Sequence, residues 1–180
     1  MTREIGKWLR RATPQEWSEG LQWYDATGQW LRELADATGH PFETVVGVFA
    51  TLSPGTSLKR NMFEASAMLQ GVEIQYSTYG TQVSKAREIL AGTRSPVPTG
   101  QKVMSFYLNL LGDGSAVTVD RHALRVAGLK GDKVLTPKQY NALAQAYHKV
   151  AKRRKLKGYQ VQAITWLVYR RVVRLKERNK

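Results

Sequence analysis

The stretch Lys102-Val103-Met104-Ser105-Phe106-Tyr107-Leu108-Asn109-Leu110-Leu111-Gly112-Asp113-Gly114-Ser115-Ala116-Val117-Thr118-Val119-Asp120-Arg121-His122-Ala123-Leu124-Arg125-Val126-Ala127 decides how the rest of this 180-residue chain is read. Val103, Phe106, Tyr107, Leu110 and Leu111 recur at helical spacing, which predicts a helix over Gln101 to Leu111 closed by Gly112-Asp113-Gly114. Asp120 stands where an N-cap belongs, and a short helix is predicted from it through Ala127, stopped by Gly128.

The flanking sequence carries the same signals. Upstream, Thr13-Pro14-Gln15-Glu16 combines a threonine cap, a proline at the first helical position and a glutamate three residues on, predicting a helix from Pro14 to about Thr27. A second is expected over Gly28 to Thr38, ended by Gly39. Phe42 to Leu52 has no polar face and reads as a buried central helix, broken by Ser53-Pro54-Gly55-Thr56. Helices come next over Ser57 to Leu69 and Thr81 to Leu90, then a loop by composition from Ala91 to Gln101. Downstream, helices are expected from Thr136-Pro137 to Lys152 and from Tyr159 to Lys176. Strand periodicity and internal repeats are missing, so the predicted class is all-α: one domain over 1–180, with helices in 1–41 and 130–180 flanking a 42–129 core.

Composition bounds the function. With 42% hydrophobic and 23% charged residues the chain fits one compact domain, or at most two very small ones. Zero cysteines exclude a disulfide framework, a thiolate-held zinc, an iron–sulfur cluster and a cysteine nucleophile. No apolar run reaches a membrane span and the first residues lack the apolar stretch of a signal peptide, so a soluble, cytoplasmic protein with no membrane partner is expected. Lys plus Arg number 28 against 14 acids, and residues 149–180 hold 12 of those bases with one acid. Such a block is the footprint of a polyanion partner, or else a solvated basic face.

Lys102 to Ala127 resembles the catalytic stretch of the helix-hairpin-helix DNA glycosylases of the endonuclease III type. In that superfamily a lysine opens the second helix of the hairpin and a Val-Asp-x-His-x-x-Arg-Val segment comes about eighteen residues on; here Lys102 and Asp120 are eighteen apart. Val46 to Ser53 together with Thr56 to Asn61 is similar to the superfamily's buried helix, active-site loop and next helix. Ser84-Lys85-Ala86-Arg87-Glu88-Ile89-Leu90 resembles its Ser-Lys-Ala-x-x-Ile helix, and Gln160 to Trp166 its closing helix. The resemblance implies a compact two-lobed helical domain and a monomer that binds DNA, in a bacterium or a virus-infected host cell, with no cofactor, no metal and no iron–sulfur cluster. It implies catalysis by Lys102 and Asp120. DNA or substrate contacts are implied for Ser53, Thr56, Lys59, Arg60, Tyr79, Lys85, Thr99, Gly100, Gln101, His122 and Arg125, and the basic block adds Arg153, Arg154 and Lys155.

Two departures stand out. Where the superfamily's hairpin usually reads Leu-Pro-Gly-Val-Gly, this chain reads Pro96-Val97-Pro98-Thr99-Gly100-Gln101, keeping only the second glycine and adding a proline with no amide hydrogen. The Ser53 to Thr56 loop is one residue short and lacks the glutamine that fills the gap behind a flipped base.

The implied chemistry is base excision. Breaking an N-glycosidic bond builds positive charge at the anomeric carbon, which a carboxylate at Asp120 stabilises. A neutral Lys102 amine attacks that carbon, expels the base and forms a Schiff base that undergoes β-elimination; His122 orients the aspartate or donates to phosphate. The alternatives are excision of a hypermodified base in viral DNA and a non-catalytic DNA-binding module. Plain structural roles stand beside these: Asp120 as an N-cap worth about 1 kcal/mol, and Lys102 as a solvated lysine. His40 and His148 stand alone, too few for a metal site. Trp17, Trp23 and Trp30 read as packing residues, Tyr107 as core, and Tyr76 and Tyr79 as base-stacking candidates.

Overall fold

The computed structural model describes residues 1–178, with side chains as far as Val173. Its elements are α1 (Thr2–Leu9), α2 (Pro14–Thr38), α3 (Phe42–Leu52), α4 (Leu58–Leu69), α5 (Gly80–Leu90), α6 (Gln101–Leu110), α7 (Arg121–Val126), α8 (Pro137–Lys152) and α9 (Gly158–Arg178). The fold is all-helical, with no strand among the described residues. None of these helices is long and apolar enough to cross a membrane. The chain divides into two units, one of Met1–Ala26 with the chain from Gly112 onward, the other of Thr27–Leu111.

In the unit Thr27–Leu111, α3 is the centre. Val45 through Leu52 are all buried, and α4, α5 and α6 pack around them, because a helix apolar on every side must find partners on every side. Phe49 meets Trp30 of α2 and Phe106 of α6, with ring centroids 5.8 and 6.0 Å apart. The loop between α5 and α6 rests directly on the α3 backbone: a Cβ on Gly47 would lie 2.6 Å from the Pro96 carbonyl oxygen and 2.9 Å from Pro96 Cα.

In the other unit, Ile5 and Leu9 of α1, the segment Val117–Val119, and the inner faces of α7, α8 and α9 share one apolar core. The start of α2 lies against α9 closely enough that a Cβ on Gly20 would sit 2.7 Å from Ile164 Cα. Thr13 and Glu16 form the expected capping pair, Glu16 N donating to Thr13 Oγ1 at 3.2 Å and Thr13 N to Glu16 Oε2 at 2.9 Å. The same carboxylate takes Arg171 of α9 in two-pronged fashion, from Nε at 2.7 Å and Nη2 at 3.2 Å. Burial opposes the charge of Glu16, but the Arg171 and Thr13 hydrogen bonds outweigh it and hold the carboxyl below its ordinary value.

Two elements differ from the sequence expectation. The break expected at Gly28 is not there: α2 runs unbroken for 25 residues. Gly28 admits a neighbour instead of ending a helix, since its Cβ would lie 2.9 Å from the Leu110 carbonyl oxygen. The unanticipated α1 is announced by one turn of pattern only, Ile5, Trp8 and Leu9.

Gly47→Ala is expected to destabilise by about 1–3 kcal/mol in urea unfolding, because the forced displacement of Pro96 exceeds the roughly 1 kcal/mol helix-propensity gain. Glu16→Gln is expected to cost about 1.5–3 kcal/mol at neutral pH through the weakened Arg171 and Thr13 bonds. A carboxyl depressed in the folded state stabilises above its ordinary pKa and loses that contribution as pH falls through the folded value. The melting gap between wild type and variant therefore closes as the pH drops below about 4.5.

Candidate functional site

Asp120 is positioned from both sides along the chain. The segment Val117–Val119 is buried and pinned by Tyr140 of α8, whose hydroxyl donates to the Val117 carbonyl at 3.0 Å and accepts from Val119 N at 3.0 Å. Emerging from this clamp, Asp120 caps α7: Oδ1 accepts from Ala123 N at 2.7 Å. Tyr147, fully buried, donates its hydroxyl to the Ala123 carbonyl at 3.1 Å. Burial, reinforced by the Asp120 charge, pushes the Tyr147 phenol far up, so this side chain stays a donor. Among the described residues Asp120 uses only Oδ1 in hydrogen bonds, and the residue is half-buried. The cap role read from the sequence is therefore present, and it leaves Oδ2 for a second one.

His122 lies two residues on, half-buried, its ring 5.5 Å from that of Tyr169 on α9. Its Nδ1 is buried without a hydrogen bond. Burial lowers its pKa, Asp120 pulls it back up, and Arg121, Arg125 and Arg170 lower it further; the imidazole is uncharged at neutral pH. Arg125 lies across Gly131, where a Cβ would fall 2.9 Å from Cζ of the guanidinium. Arg153, Arg154 and Lys155 are exposed in the turn between α8 and α9.

The remaining predicted positions belong to the unit Thr27–Leu111. Lys102 is exposed as the second residue of α6, whose N-cap Gly100 has φ −78° and supplies no side-chain cap. The space beside Gly100 is open and Thr99 is exposed, while Gln101 is half-buried. Neither conformation nor packing requires a glycine at 100; its effect is to leave the backbone bare where α6 begins.

Two loops of this unit interlock. Ser53 Oγ donates to Ala50 O at 2.8 Å, Thr78 Oγ1 to Pro54 O at 2.7 Å, and Ser77 Oγ to Thr56 Oγ1 at 2.9 Å. Tyr79, 66% exposed, lays its ring beside Gly55, where a Cβ would meet it at 3.4 Å. Structure thus brings together Ser53, Thr56 and Tyr79. Arg60 is held elsewhere, its Nε donating to buried Glu64 at 2.8 Å and Nη2 to the Gln75 carbonyl. Lys59 and Lys85 are exposed. Lys102 falls in this unit and Asp120 in the other.

Sequence reading missed Glu64, Tyr140 and Tyr147. Glu64 is fully buried, accepting from Ser77 N at 2.6 Å as well as from Arg60; its signal was an acid four residues after Arg60 inside an otherwise buried helix face. The tyrosines are seven apart on one face of α8. Trp17, Trp23 and Trp30 pack against other side chains, and Tyr107 is buried. His40 and His148 each meet a backbone carbonyl, of Leu69 and Ser115, and no group able to hold a metal ion occurs among the described residues.

Cap and chemistry are separable at Asp120. Asparagine retains the side-chain acceptor, so Asp120→Asn is expected to melt close to wild type, whereas Asp120→Ala loses about 1 kcal/mol in thermal unfolding.

No curated protein and no solved structure matches the chain. A protein family does, over residues 1–173. With the match covering all but the last turns of α9, the chain belongs to DUF7178, a family of unknown function.

Proposed function

We propose that this protein is a DNA glycosylase with AP lyase activity, which flips a damaged or modified nucleotide out of the duplex and excises its base. The observation that carries the reading is that both chemical positions of the resembled motif fall at helix starts: Lys102 is the second residue of α6, and Asp120, eighteen residues on, is the N-cap of α7. The all-helical fold supports the reading at the level of fold class.

The chemistry requires both groups to act on one deoxyribose, which is out of reach in a stacked duplex and so must be flipped. The Lys102 amine, its proton given to solvent, attacks the anomeric carbon. The glycosidic bond breaks, its electron pair leaving on the base, which takes up a proton. The sugar ring opens to a Schiff base on Lys102, and loss of a C2′ proton expels the 3′ phosphate. Throughout, the Asp120 carboxylate, steadied through Oδ1, faces the positive charge that builds at the anomeric carbon. Uncharged His122 orients that carboxylate or donates to a phosphate.

A second reading within the same chemistry takes a hypermodified base as substrate. It is favoured by the altered hairpin, with Pro98 and Thr99 before Gly100, and by the short Ser53 to Thr56 loop, a different frame around the base.

Incubation with a panel of damaged and hypermodified duplexes plus borohydride is expected to trap a covalent adduct that Lys102→Ala abolishes. Asp120→Asn is expected to slow base release on the order of 10²-fold while leaving the protein folded. Neither adduct nor released base across the whole panel, from protein that still binds DNA, would reduce the function to binding.

A further inference from the structure

Positive charge is divided unequally between the two units. Twenty-one of the 28 Lys and Arg residues and eight of the 14 acids belong to Met1–Ala26 and the chain from Gly112; Thr27–Leu111 holds the other seven bases and six acids. Almost the whole +14 therefore sits on one unit, and not on the one that carries the hairpin before α6. In Thr27–Leu111 most bases are also engaged: Arg60 pairs with Glu64, Arg87 with Glu73 and Arg94 with Glu88, while Arg32 lies over the Phe42 ring. Pro98 removes an amide donor from the hairpin as well.

The densest run of cations is the turn between α8 and α9. Lys152, Arg153, Arg154 and Lys155 are consecutive and all exposed, with Lys157 exposed beyond them. None of the ion pairs among the described residues uses any of the five. A helix C-terminus favours cations through its dipole, which explains a base in the last turn but not the conformation of Lys155. That residue has φ 56°, in the left-handed region where glycine is the usual occupant. It closes the turn, with Leu156 N donating to Ala151 O at 3.0 Å and Lys155 N to Lys152 O at 3.4 Å. A side chain is kept where the backbone favours none, and that side chain is a cation.

We propose that the α8–α9 turn is the protein's main grip on the sugar-phosphate backbone of nucleic acid, taken without regard to base sequence and separate from the hairpin that leads into α6. The inference rests on the nucleic-acid part of the function proposed above. Duplex phosphates present about one charge per 1.7 Å of helix axis, a density that a short turn with five cations matches. A bilayer surface would call for apolar side chains beside the cations. The large hydrophobic side chains exposed in the described residues are Met1, Phe63, Val72, Tyr79, Val97 and Val134, and none lies in this turn.

The test uses the full chain and an undamaged fluorescent duplex, with affinity measured by anisotropy from about 50 to about 200 mM salt. Replacing Lys152, Arg153, Arg154 and Lys155 together by glutamine is expected to flatten the slope of log affinity against log salt concentration by roughly 3–4 units, about a 10²-fold smaller loss of affinity across that salt range. Lys155→Gly alone is expected to flatten it by about 1 unit while raising the melting temperature, a combination that damage to the fold does not produce. An unchanged slope in the fourfold variant overturns the proposal. So does duplex binding that survives in that variant while binding to phosphatidylserine–phosphatidylcholine vesicles is lost. Borohydride trapping at saturating concentrations of the damaged and hypermodified duplexes separates this from the chemistry: the expected slopes on the undamaged duplex, with no adduct on any member of that panel, uphold the grip and reject the excision reading.

Discussion

Backbone amides at helix starts and in the loops between helices must find acceptors, and here three carboxylates answer them. Glu16 accepts from Thr13 N, Glu64 from Ser77 N and Asp120 from Ala123 N, at 2.9, 2.6 and 2.7 Å. Two of them do more. Glu16 also receives Arg171, which ties α2 to α9. Glu64 also receives Arg60, which fastens the segment before α5 onto α4. Among the described residues Asp120 and Glu64 each keep one oxygen out of hydrogen bonds, but Glu64 is fully buried and Asp120 only half-buried, and that difference in exposure makes Asp120 the candidate for chemistry while the other two are structural.

The surroundings of Asp120 strengthen this. Tyr140 fixes the chain on its amino side and Tyr147 fixes the turn of α7 on the other, so the carboxylate is set by core packing and not by a mobile loop. A fixed charge needs no reorganisation when a cation develops beside it, which is the physical basis of electrostatic stabilisation. His122 adds a polar group that burial keeps uncharged, so it does not neutralise its neighbour.

Charge is divided unequally along the chain. Thr27–Leu111 is nearly neutral, with three of its four arginines drawn into ion pairs and its apolar α3 surrounded. The basic excess lies on the unit built from the two ends of the sequence, at its most concentrated where α8 turns into α9. Long-range attraction and the positioning of a carboxylate then belong to one unit, and the lysine nucleophile of the proposed reaction to the other.

Much of the fold was legible residue by residue. The Thr13–Glu16 and Thr136-Pro137 starts, the Asp120 cap and the wholly apolar α3 all arise from signals contained within a turn or two of helix. Of the candidate site, Asp120 and Lys102 were singled out by their spacing and neighbours, whereas Tyr140, Tyr147 and Glu64 were not, because each is distinguished from an ordinary residue of its helix by a bond to a distant part of the chain: to Val117 and Val119, to Ala123 and to Ser77. Gly28 makes the same point: its local reading is a break, but α2 continues through it and the Leu110 carbonyl takes the space that a side chain there would fill. The amino-acid sequence by itself determined the helices, their caps and the total charge, since these depend on near neighbours and composition; tertiary structure alone decided which glycines admit a neighbouring backbone, which arginines are already paired and which unit carries the charge, since each depends on atoms far away along the chain.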